Sequence, residues 1–145
     1  MNDPFELERF VAAQDQGRTY AAAFAELRAG RKRSHWMWFV FPQIAGLGRS
    51  PTSVRYAISS LSEARAYLDH PVLGPRLLEC TVALLELPAR SAPEIFGSVD
   101  AVKLRSSMTL FAHAAPSNPV FRQVLDTYFE GTADGATERL LGVTT

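Results

Sequence analysis

The chain has a single cysteine, Cys80, and only three histidines among 145 residues. A lone cysteine excludes an internal disulfide and fits a reducing compartment, so a cytoplasmic location is expected. There is no HExxH and no cysteine–histidine cluster, so no metal site and no resident cofactor are expected. No apolar run approaches the roughly 18 to 20 residues of a membrane-spanning helix, and no membrane partner is expected. The opening MNDPFELERF is acidic and amphipathic, unlike a signal peptide. Internal repeats and low-complexity tracts are missing, as are GxGxxG and the GxxxxGK[ST] of a P-loop.

The most informative absence is acidic charge between Leu27 and Ser62. That segment holds Arg28, Arg31, Lys32, Arg33, Arg49 and Arg55 and no Asp or Glu, although the formal net charge of the whole chain is zero. The rest of the chain therefore carries the opposite excess. Two readings follow: an anion-attracting face, or arginines that distant carboxylates fold back to pair. The balanced total argues against general nucleic-acid binding, which calls for a basic domain.

What is present is mostly helix signal. Hydrophobic residues make up 47% and charged residues 21%, ordinary for a globular chain long enough for one core. Asp3-Pro4 reads as the start of a helix carrying Leu7, Phe10 and Val11. Tyr20, Phe24 and Leu27 mark a second helix, stopped by Gly30. Ser34 is placed to cap a third, the apolar WMWFVF. That run is short enough for a buried strand, but no second strand is present to pair with it.

Ser50-Pro51 opens a helix with Val54, Ala57, Ile58 and Leu61, and Ser62 restarts the chain as SEARAYL up to His70-Pro71. Pro75 to Leu87 is strongly periodic. Ser91 to Glu94 reads as a capping box over a short turn ended by Gly97, after which Ser98 starts a helix with Val102, Met108 and Phe111 among its apolar positions. Asn118-Pro119 and Asp134 start the last two. The expected fold is all-α: one compact multihelical domain over residues 1–145, with about eight short helices and short loops.

The stretches GRKRSHWMWFVFPQIAGLGRS, HPVLGPRL, KLRSSMTLF and VLDTYFEGTADGATERLL resemble the bacterial family known as domain of unknown function 1810. The resemblance spans most of residues 7 to 142 and implies a compact multihelical fold. It implies no catalytic residue, since the family's activity is unknown. Some members carry a calpastatin label, which these residues do not support: that inhibitor is a disordered repeat protein. A looser similarity, through FVAAQ, Lys103 and Phe111 followed by a C-terminal helix, links the chain to the NADAR family, which acts on ADP-ribose-type compounds.

Several groups of residues are candidates for chemistry. In the turn from Ile44 to Pro51, Gly46 and Gly48 allow close backbone approach to a ligand, and the helix behind offers free N–H groups. Arg49 would add a bidentate grip and Ser50 a hydroxyl, unless the turn needs glycine only for tightness and Ser50 is a plain cap. Of Arg31, Lys32 and Arg33, either one or two point into the same pocket, arginine being the better grip on phosphate, or all lie solvated at a helix end. Trp36 and Trp38 are two apart and cannot share a helical face, so one can fill the core while the other lines a cleft.

Gln43 is a loop tether or a ligand contact. His35, beside cations, favours the neutral form suited to a base or donor, or simply starts a helix. Lys103, Ser106 and Ser107 share part of a helix face, either as polar ligand contacts, including a Ser/Lys pair, or for close helix packing. Cys80 reads as a small buried hydrophobe. Together these residues point to a basic, aromatic pocket for a small anionic, phosphate-bearing ligand such as a nucleotide or an ADP-ribose-like compound. The alternative is an interaction module that docks an acidic partner through the same segment. The sequence assigns no catalytic residue, no reaction and no oligomeric state.

Overall fold

A computed structural model describes residues 3–88 and 90–143. Among these residues the chain forms nine α-helices and one 3-10 turn, with no strand beyond an isolated parallel bridge between Ile44 and Ile58. The all-α expectation holds. The helices are α1 (Glu8–Asp15), α2 (Thr19–Ala29), α3 (Met37–Val40), α4 (Pro51–Arg55), α5 (Leu61–Asp69), α6 (Leu73–Leu85), α7 (Ala92–Ala114), α8 (Val120–Phe129) and α9 (Gly135–Leu141), with the 3-10 turn at Gln16–Arg18.

Local chemistry explains most boundaries. Gly30 stops α2 with φ 75°, and its N–H reaches the carbonyls of Glu26 and Leu27. Ser91 and Glu94 form the capping box of α7, and Asp134 caps α9 by accepting the Thr137 N–H at 3.0 Å. Gly97 sits inside α7 at φ 82° and ψ 162°, a region essentially open only to glycine, and the helix breaks there. This is the stop and restart that the sequence marks at Gly97 and Ser98.

Four boundaries differ from the sequence reading. α1 begins only at Glu8, because Asp3 reaches forward to accept the N–H groups of Leu7 (2.7 Å) and Glu8 (3.1 Å). Ser34 caps nothing; its hydroxyl donates to Glu26 at 2.6 Å, and α3 is a single turn entered from Trp36. The helix after Pro51 ends at Arg55, and Ile58 leaves it to exchange backbone hydrogen bonds around Ile44. The next helix is capped by Ser60, which accepts the Glu63 N–H, and not by Ser62.

The loop between α4 and α5 is held by one arginine. The Arg9 guanidinium donates to the carbonyls of Arg55 (2.8 Å) and Ala57 (2.9 Å) and to the Glu63 carboxylate (3.0 Å). The other Glu63 oxygen accepts the Ser59 N–H and hydroxyl, both at 2.8 Å.

The core is one contiguous apolar cluster running from Leu7 to Leu125. α7 lies at its centre against α5, α8 and α9, and α6 links α2, α5 and α8. Aromatic rings thread it: Phe10 meets Tyr67 at 5.2 Å, Tyr67 meets Phe111 at 5.5 Å, and Phe111 meets Phe121 at 5.7 Å between centroids. Cys80 is buried there, and burial pushes its thiol up to about 12. Val54 and Val102 are the exceptions to the helical patterning. They were apolar positions by sequence but are 63% and 61% exposed.

Candidate functional site

The basic segment after α2 is shaped by one carboxylate. Glu26 accepts the N–H groups of Arg33 (2.7 Å) and Ser34 (2.9 Å), the Ser34 hydroxyl (2.6 Å) and the Trp36 indole N–H (2.9 Å). Burial raises its pKa, but these hydrogen bonds outweigh burial and hold it at about 2, below the ordinary 4.5. A depressed carboxylate stabilises the fold above its unfolded value and loses that contribution as pH falls through the folded one. Stability that depends on Glu26 is therefore expected to be complete above about pH 4.5 and to fade toward pH 2. Glu26→Ala strands the buried Trp36 N–H and is expected to cost about 2 to 3 kcal/mol near neutrality. Acid titrations followed by tryptophan fluorescence should show a flatter decline in the variant.

The two tryptophans separate as their spacing requires. Trp36 is fully buried, with Phe41 and Phe96 rings at 6.2 and 6.4 Å. It belongs to the core and cannot line a cleft. Trp38 is half-buried, and its indole N–H donates to the Ser53 hydroxyl at 3.2 Å. The Lys103 ammonium lies 4.6 Å from the centroid of the Trp38 ring.

Two clefts meet at this point. The larger, about 540 Å³, is lined by Gln43, Leu47, Gly48 and Ser53 on one side and by Val102, Ser106 and Asp134 on the other. The smaller, about 340 Å³, contains Lys32, His35, Trp38 and Asp100. Ser98, Val99 and Lys103, on the part of α7 that restarts after Gly97, line both. Six of the sequence-predicted residues thus converge: His35, Trp38, Gln43, Gly48, Lys103 and Ser106.

The others do not line these clefts. Arg31, Arg33 and Arg49 are exposed, and none has an ion-pair partner among the described residues. Among the described residues, only Lys32 of the six basic residues in the acid-free segment is paired, with Asp100 at 2.9 Å, so carboxylates folding back there account for one cation and no arginine. The Ser50 hydroxyl accepts the Ser53 N–H at 3.1 Å and is spent as the cap of α4. Gly46 lies under Leu140, whose methyl would sit 3.1 Å from an added Cβ. At Gly48 an added Cβ would fall 2.5 Å from the Ser53 Cβ, so tight packing requires this glycine. Ser107 is fully buried, and its hydroxyl finds no partner among the described residues.

Lys103 pairs with Asp100 at 3.4 Å, and the Ser106 hydroxyl donates to the Val102 carbonyl (3.2 Å) and the Asp134 carboxylate (3.3 Å). The Ser/Lys pair that spacing allowed is not assembled. Arg105, Ser106 and Thr109 instead pin the loop before α9. Arg105 donates to the carbonyls of Thr132 (2.9 Å) and Ala133 (2.8 Å), and Thr109 accepts the Asp134 N–H at 2.9 Å. Gln14, the end of FVAAQ, is a core tether: its amide donates to the Phe39 carbonyl at 2.7 Å and the Tyr67 hydroxyl at 3.2 Å. The sequence reading missed Asp100, Asp134 and the exposed Val99 as cleft residues. Val99 and Asp100 sit one helical turn before Lys103, whereas nothing in the sequence tied Asp134 to it.

Among the described residues no group of three or more His, Cys, Asp or Glu is placed to hold a metal ion, and no helix is long and apolar enough to cross a membrane. Fold and site define a small all-α protein with a mixed polar and apolar double cleft beside its central helix. The chain belongs to the family described as protein of unknown function (DUF1810), whose model matches residues 4–141. It is similar to the crystal structure of the conserved hypothetical protein Rv1873 from Mycobacterium tuberculosis, with 57% identity and a TM-score of 0.94 over 98% of this chain and 100% of that one. No curated protein matches the chain.

Proposed function

We propose that this chain binds a small organic anion in the double cleft. Lys103 anchors the charge, while Trp38 and the wall around Val99 and Val102 hold the body of the molecule. The observation that carries the reading is the position of Lys103, which lines both clefts over the Trp38 ring. Gln43, Ser98 and Ser106 supply neutral polar contacts along the same surface. Phosphate-bearing compounds, nucleotides and ADP-ribose-like molecules among them, and carboxylic acids are the ligand classes of this kind.

A thermal-shift panel of phosphates, nucleotides, ADP-ribose and carboxylic acids tests the reading. A ligand at about a hundred times its dissociation constant adds roughly 2.7 kcal/mol, a rise of several degrees for a domain of this size. Lys103→Ala is expected to abolish the response, whereas Arg33→Ala and Arg49→Ala, outside the clefts, are expected to keep it. An unchanged response in Lys103→Ala would sink the proposal.

A second reading rests on Arg31, Arg33 and Arg49, which are exposed and lack ion-pair partners among the described residues. They suit an acidic protein partner, and that reading is favoured if the arginine variants, and not Lys103→Ala, lose partner capture.

A further inference from the structure

The charges around the double cleft are unevenly placed. In the smaller part, Lys32 and Lys103 share the single carboxylate of Asp100, at 2.9 and 3.4 Å, and His35 stands beside them. One positive charge is left over there. With Lys103 counted there, the larger part holds only the Asp134 carboxylate, so the double cleft as a whole has two ammonium groups and two carboxylates, and the larger walls include Leu47, Val99, Val102 and Ala136. Val99 and Val102 are 69% and 61% exposed, apolar surface that nothing in the described chain covers.

We infer, resting on the anion-binding reading above, that the cleft selects a monoanion with an apolar body, the carboxylate of an aromatic or branched aliphatic acid, over nucleotides and other multiply charged phosphates. The carboxylate sits at the Lys32, Lys103 and His35 end, where it neutralises the surplus charge. The body extends along Trp38 toward Val99 and Val102 and removes their side chains from water. A second negative charge reaching into the larger part would approach Asp134, whose carboxylate is held in place by the N–H and hydroxyl of Thr137 at 3.0 and 2.6 Å. Like charges so placed repel, and the cleft offers no further cation to offset them. No arginine lines either part, so the planar two-point grip that favours phosphate is missing.

Isothermal titration separates this inference from the reading beneath it. The monoanionic probes are phenylacetate, indole-3-acetate and 4-methylpentanoate, and the multiply charged ones are AMP, ADP-ribose and inorganic phosphate. At least one monoanion is expected to bind about tenfold tighter than AMP, and to lose binding in Lys103→Ala. Val102→Ser, an exposed change that leaves the core intact, is expected to weaken the monoanion about fivefold. Asp134→Asn keeps a capping oxygen for α9, and is expected to narrow the gap between AMP and the monoanion severalfold. AMP or ADP-ribose binding tighter than every monoanion, and lost in Lys103→Ala, would overturn the inference and leave the anion-binding reading standing. If no probe binds, or if binding survives Lys103→Ala, both fall.

Discussion

Arg9→Ala is expected to cost about 3 to 5 kcal/mol, enough to remove a large part of the stability of a domain this small. The cost lies mainly in what the substitution leaves behind. The Glu63 side chain is only 3% exposed, and its Oε2 meets the Arg9 guanidinium at 3.0 Å. Without the guanidinium a carboxylate stays buried with only the Ser59 N–H and hydroxyl to satisfy it. The carbonyls of Arg55 and Ala57 lose their donors at the same time, so the loop joining α4 to α5 loses its hydrogen bonds to α1 and keeps only apolar contact such as Phe10 with Tyr56. Urea unfolding would show the loss as a lower midpoint. A double change, Arg9→Ala with Glu63→Leu, should be less destabilised than Arg9→Ala alone, because it removes the stranded charge. Equal losses in both would mean that the guanidinium acts through its carbonyl contacts and not through the ion pair.

Gly74→Ala should be destabilising by about 3 kcal/mol, a fall of roughly 10 °C in midpoint temperature. Intrinsic preference points the other way, since alanine favours a helix interior over glycine by about 1 kcal/mol. Packing decides the sign. Gly74 lies in the first turn of α6, where an added Cβ would fall 2.0 Å from the Leu68 carbonyl oxygen of α5 and 2.9 Å from its carbon. Both are backbone atoms and cannot rotate away. The chain reverses between them through His70, which accepts the Gly74 N–H on its carbonyl at 3.0 Å and the N–H groups of Val72 and Leu73 on its ring. The two helices would have to separate and pull Tyr67 and Leu73, both fully buried, apart. A thermal melt equal to the wild type's would show that α5 and α6 can slide without loss.

Features set by neighbours in the chain were legible in the sequence, and features set by distant partners were not. Gly30, Ser50, Ser91 and Asp134 end or begin helices through bonds to residues two to four positions away, so their roles read directly. Ser34 looked equally good as a cap but is taken by Glu26, a carboxylate eight residues earlier that also collects the Trp36 indole. Ile58 has helical spacing, yet its backbone is claimed by the segment around Ile44.

The same division runs through the site. That Trp36 and Trp38 would part company follows from their spacing. That Lys103 would lie over Trp38, and that Asp134 would line the same cleft, depends on how α7 and the loop before α9 are laid across the fold. The arginines were conspicuous in sequence because of composition, and composition says nothing about direction. Arg31, Arg33 and Arg49 point to solvent, while Lys32 of the basic segment and Lys103, far along the chain, line the clefts.

The break at Gly97 has a consequence for how this chain can vary. Each residue added to a helix turns everything beyond it by about 100°. In an unbroken α7, one residue gained or lost near Ser91 would swing Lys103 out of line with Trp38. The extended glycine uncouples the two halves. The first is fastened by the Lys32 N–H to the Ile95 carbonyl at 2.7 Å, and the second by its own buried face of Leu104, Met108 and Phe111. The rotational phase of Lys103 is therefore set by the core beneath it, and changes in length upstream of Gly97 are absorbed before they reach the cleft.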